Sequence, residues 1–152
     1  MSTNISLFGL TVRIVADRTF PAGFTLTQWA DDAPPLESPA IETGAFGIGP
    51  NGDMVVWQKP AAISSNFAVV PNSEDDRNLA ILHEANRISK SKGIVPMDKI
   101  TAVLSYQDGR VVTLSQGIIM SGPAAPGGTQ DGRLTSRVFG FVFEDRNESR
   151  PS

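Results

Sequence analysis

Few residues in this chain of 152 have the types or spacing that chemistry requires. His83 is the single histidine and there is no cysteine, so the three or four converging ligands of a zinc site are not on offer. No nucleophile motif accompanies His83, which argues against a Ser-His-Asp constellation. The acids are numerous, yet Glu74, Asp75 and Asp76 fall where a helix begins and are explained by its dipole. Asp31, Asp32 and Glu37 lie in a proline-rich stretch. Gly44, Gly47, Gly49 and Gly52 do not match a phosphate-binding loop and read as hairpin and bulge glycines. Trp29 and Trp57 could stack on sugars or bases. Each ends an apolar segment, however, so a core or interface role is the stronger reading. The expectation is a non-enzymatic protein with no cofactor and no metal.

The elements that would position any site are mostly strands. Segment 137–144 reads R-V-F-G-F-V-F-E, which puts Phe139, Phe141 and Phe143 on one face and Val138, Gly140 and Val142 on the other. Neither face is strongly polar, so cover is expected on both sides, from this domain or from another subunit. Further strands are expected at 5–16, 24–29, 41–48, 54–58, 63–70, 100–106 and 111–120, with the final one beginning at 133. Asn51-Gly52 and Asp108-Gly109 are hairpin turn signals. In 111–120, Val112, Leu114, Ile118 and Met120 share one face. Thr113, Ser115 and Gly117 fall on the other, a small and polar set suited to solvent or a channel.

One helix is expected at 74–92, with Ser73 as N-cap, an apolar face made of Ile81, Leu82, Ala85 and Ile88, and Gly93 closing its end. Segment 30–39 holds three prolines and three acids and reads as a long exposed loop; residues 146–152 read as a polar tail. Asp31, Asp32, Pro34, Pro35, Leu36 and Glu37 make that loop either a solvated connection or an arm ordered by a neighbouring subunit.

Composition is consistent with a single mainly β (α+β) domain over 1–152: 40% hydrophobic, 19% charged, with 14 glycines and 11 prolines. The net charge of −3 and the lack of a Lys/Arg block argue against non-specific nucleic-acid binding. The first residues, Met1 to Ile5, lack a secretory signal pattern and no run suits a membrane span, so no membrane insertion is expected.

The order of these elements resembles the tail tube proteins of contractile-tailed bacteriophages. The match lies mainly in 45–145: the G-P-N-G-D-M hairpin, the helix, the S-Y-Q-D-G-R-V-V-T hairpin and the closing R-V-F-G-F-V-F-E. The resemblance implies two packed antiparallel sheets as a β-sandwich or barrel with one flanking helix. It further implies hexameric rings with a central β-barrel, stacked into a tube that carries genomic DNA without specific binding. The 30–39 loop would be an inter-ring arm, and Thr113, Ser115 and Gly117 lumen-facing. Its implied partners are copies of itself, the sheath, the tape-measure protein and baseplate or terminator proteins. The expected location is the virion tail, assembled in the host bacterial cytoplasm. The alternatives are a tube-initiating baseplate ring or tail terminator, for whose extra segments this chain leaves little room, a monomeric β-barrel binding module, and a small carboxylate hydrolase.

Overall fold

The computed structural model describes residues 5–150. Expectations resting on Met1 to Asn4 and on Pro151 and Ser152 lie outside the described residues. Nine strands and one helix follow in the order β1 (Thr11–Ala16), β2 (Phe20–Leu26), β3 (Leu36–Glu37), β4 (Gly44–Ile48), β5 (Met54–Gln58), β6 (Ile63–Val69), α1 (Glu74–Ala85), β7 (Ile100–Ser105), β8 (Val111–Ser121) and β9 (Arg137–Ser149). The fold is mostly β, with two antiparallel sheets and a single helix, as expected. The sheets are unequal. Seven strands run in the order β2-β1-β7-β8-β9-β6-β3, and β4 pairs only with β5.

The large sheet curls around its core. Val12, Ile14 and Ala16 of β1 point inward with Ile100, Ala102 and Leu104 of β7, while Arg13 between them is exposed. Phe139, Phe141 and Phe143 are buried on one face of β9, as their alternation requires. Phe67 lies 5.5 Å from Phe141, which stacks on Phe143 at 6.1 Å. Each fully buried phenylalanine contributes about 1.5–3 kcal/mol of transfer free energy. The chain beyond β2 comes back to β6, where Trp29 bridges Val69, and Leu36 of β3 pairs with Phe67. These contacts cover the β6 edge and bring the sheet close to barrel closure. Leu79 and Leu82 of α1 seal the interior.

Three boundaries differ from expectation. The helix stops at Ala85 rather than at residue 92. Asn86 caps it: its side-chain amide donates to Leu82 O and to Asp98 Oδ2, and its Oδ1 accepts from Asp98 N at 2.7 Å. The chain is thereby turned toward β7. Gly93 does adopt a positive φ of 73°, but it closes a separate turn by donating to Ser89 O. Of the expected polar tail, residues 146–149 are strand. β9 continues to Ser149 because β8 is long enough to pair with it, from Ser115↔Asp145 to Val111↔Ser149. At the N-terminal side, the first strand begins only at Thr11, after a turn at Gly9.

Candidate assembly surfaces

The expected loop residues are tied to their own chain. Arg133 pairs with Asp31 through both terminal nitrogens, and Ser136 donates to Asp32 from its backbone and its hydroxyl. The guanidinium beside Asp31 and the Ser136 donors on Asp32 hold both carboxyls below the usual range. Pro35 O accepts from Ala68 N at 3.0 Å, and Leu36 and Glu37 form β3. Pro34 lies between these two anchors. The 30–39 segment is therefore held at both ends within the monomer.

Thr113, Ser115 and Gly117 do not share one surface. Thr113 and Ser115 are half-buried on the outward face of the large sheet, paired with Asn147 and Asp145. Gly117 is buried on the core face, where an added Cβ would lie 2.2 Å from a ring carbon of Phe143. The cause is Gln116, at φ +55°, opposite a register shift between β7 and β8. The extra residue of this bulge switches the inward parity from Val112 and Leu114 to Gly117 and Ile119. Ile118 and Met120 consequently turn outward. An unbroken alternation would keep one parity along the whole strand, and a bulge without a glycine at its positive-φ position leaves little trace in sequence.

The acids that pattern reading assigned to the helix start have further partners. Asp75 accepts from the backbone N–H groups of Thr27 and Gln28 at 2.8 and 2.9 Å, joining α1 to the end of β2. Asp76 is buried against Arg137. Asp98, which sequence reasoning missed, is buried and accepts from Arg18 N, Thr19 N, Thr19 Oγ1 and Asn86 Nδ2. Burial raises its pKa, but these hydrogen bonds outweigh that and the net direction is downward. Every buried side-chain polar atom among the described residues has a partner, and no group of three or more potential ligands forms a metal cluster there. Trp29 is half-buried beside Phe67 and donates to Leu10 O.

Among the described residues, the β4–β5 hairpin is an apolar surface that the rest of the chain leaves uncovered. Phe46 pairs with Val56 and Ile48 with Met54, so these four share one face; Val55 and Trp57 occupy the other. All six are exposed, Phe46 at 67%. From Thr43 to Gln58 the only charge is Asp53. Lys59 at the base is neutralised by Glu42 at 3.0 Å. A two-stranded hairpin alone is marginally stable in water, and a contiguous apolar patch of this kind marks an interaction site. Its both-sided apolar character was visible in the sequence, but nothing there showed that the rest of the chain leaves it uncovered.

A family model for tail fiber protein gp32 matches residues 3–147. The chain belongs to that family. It is a structural component of a phage tail. A search of curated proteins finds no match. Among solved structures, a chain of the anti-feeding prophage cap, its tube-terminating cap, is 12% identical over 99% of this chain and 94% of its own, with a TM-score of 0.55. A chain of the sheath/tube terminator of the extracellular contractile injection system PVC is 11% identical over 98% and 99%, at 0.57. A chain of the 6-fold symmetrised anti-feeding prophage baseplate is 10% identical over 99% and 98%, at 0.55. At these identities the likeness is one of fold.

Proposed function

We propose that this gp32-family chain is a non-enzymatic, ring-forming component at the terminating end of the tube of a contractile phage tail. The observation that carries ring formation is the exposed β4–β5 hairpin, whose uncharged apolar faces need cover that the monomer does not provide. A contact between unlike surfaces of identical copies closes into a ring when its rotation closes. The terminal position is supported by the fold shared end to end with chains from cap and terminator assemblies. The near-complete cover of those chains supports the same position, since chains of comparable length stand in such assemblies. In this role the chain would contact sheath and tube subunits, and DNA would pass the ring without specific binding.

The repeated tube protomer is the second reading, favoured by a match of 12% identity and TM-score 0.54 to a chain of the PVC sheath-tube complex. Negative-stain microscopy and solution mass of the purified protein test ring formation, with six-copy rings expected from the symmetry of the baseplate neighbour. Antibody labelling of intact particles separates the positions. A single focus at the head-proximal end supports the terminator. Label along the whole tail would return the tube protomer. Elongated, non-annular particles would instead return the fiber role that the family's description names.

A further inference from the structure

The chain carries an apolar hairpin and, elsewhere, a receptor of matching character. Where the segment before β6 departs from β9, a groove of about 450 Å³ opens between Pro60, Ala61 and Ala62 on one side and Ile118 and Val142 on the other. Ile118 and Val142 are cross-strand partners on the outward face of the large sheet, with Gln116, Phe143 and Glu144 completing the lining. This volume lies in the range of sites that accept a small ligand, and is ample for one or two side chains. Met120 and Val138, also outward-facing, add exposed apolar surface.

We propose that the Phe46, Ile48, Met54 and Val56 face of one copy's hairpin seats in the Pro60–Val142 groove of the next copy. This specifies the contact within the ring-forming reading and rests on it. The occupant is a second copy for three reasons. Within one chain the hairpin remains exposed while the groove remains open, so the two do not satisfy each other. The face presents no charge other than Asp53 near its tip, which removes nucleic acid and strongly charged partners as counterparts. The groove is the same in kind, apolar with one carboxylate, so neither surface must bury an unpaired cation. Phe46 is the anchor, as an exposed aromatic on a neutral face that can fill a pocket. Because hairpin and groove are different surfaces, the contact is heterologous and propagates around an axis.

The absence of cysteine makes the test clean. Val56→Cys and Ala61→Cys are prepared separately, since both positions are exposed and neither supports the core. The two proteins are mixed, assembled and oxidised, with oligomer mass recorded in parallel. A disulfide joining a Val56→Cys chain to an Ala61→Cys chain, with neither variant linking to itself, is the expected result. Self-linking of Val56→Cys alone would show hairpin against hairpin and overturn the proposal. Rings that assemble at the wild-type mass without the mixed disulfide would also overturn it while leaving ring formation standing. Wild-type protein that stays monomeric at every concentration would remove the ring reading and this contact together.

Discussion

Arg137 holds Asp76 with a two-point fork: Nε donates to Oδ1 at 2.9 Å and Nη2 to Oδ2 at 2.8 Å. The carboxylate is 1% exposed and the guanidinium side chain 11%. This bond fixes the N-terminus of α1 to the first residue of β9, joining the helix to the strand that carries the phenylalanine core. Truncating one partner of a buried pair leaves the other charge uncompensated, which costs about 3–5 kcal/mol. Asp76 would still accept from Asn72 N at 3.2 Å and still sit at the helix start. Arg137→Ala is therefore expected to destabilise by about 3 kcal/mol, the lower end of that range. Arg137→Lys should fall between it and the wild type, because a point charge replaces the fork. Urea denaturation of the three proteins measures this; equal midpoints for Arg137→Ala and wild type would refute it.

Asp98 makes stability depend on acid. Its folded pKa is depressed, so its contribution is fully present above the unfolded value and is lost as pH falls through the folded one. The window accordingly lies below about pH 4, the ordinary aspartate value. Asp98→Asn puts an amide where Thr19 N, Thr19 Oγ1 and Asn86 Nδ2 all donate, so one donor is left facing another. We expect a loss of about 1–3 kcal/mol at neutral pH. That difference should narrow as pH falls below about 4, as the wild-type carboxylate itself takes up a proton. Thermal unfolding from pH 7 to pH 3 reads both effects; a difference that is constant with pH would sink the assignment.

Local signals in the sequence were legible where one turn or one face decided the outcome. Gly52 and Gly109 take positive φ at the expected hairpin turns, and Ser73 caps the helix through a 3.1 Å bond to Asp76 N. The three phenylalanines of β9 are buried together because their alternation places them on one face. The remainder depends on contacts distant in sequence. The helix end is set by the Asn86–Asp98 pair, which lies beyond any helical pattern. The polar end of β9 is a strand only because Val111 to Ser115 lies beside it. The exposed hairpin has a sequence equally suited to a buried one, so its role depends on what the other strands leave bare.

Gly117 gives a direct test of the parity switch in β8. If Gly117 faced the channel, alanine there would be harmless. In the structure the new Cβ meets Phe143 Cδ1 at 2.2 Å and Val142 O at 2.9 Å. Overpacking of this kind costs about 1–3 kcal/mol. Phe143→Leu removes the ring from that space, so the double variant should be more stable than the sum of the two single losses. The coupling expected for residues in contact is about 0.5–3 kcal/mol. Strict additivity across the four proteins would mean that Gly117 does not lie under Phe143.

Thr113 is the sharper probe of whether the outward face meets DNA. Ser115 is opposite Asp145, so a lysine at 115 would have its charge offset by that neighbour. Thr113 is opposite Asn147 and Val103, which offer no such compensation. Thr113 is half-buried, and a lysine there can lie along the sheet and carry its ammonium into solvent. The fold should lose no more than about 0.5 kcal/mol, the usual range for a surface change. A ring of such lysines around a DNA path would bind phosphate and slow release, most strongly at low salt. Particles built with Thr113→Lys should thus assemble in normal yield but eject DNA more slowly, with the defect easing as salt rises. Normal ejection at low salt would place this face away from the lumen.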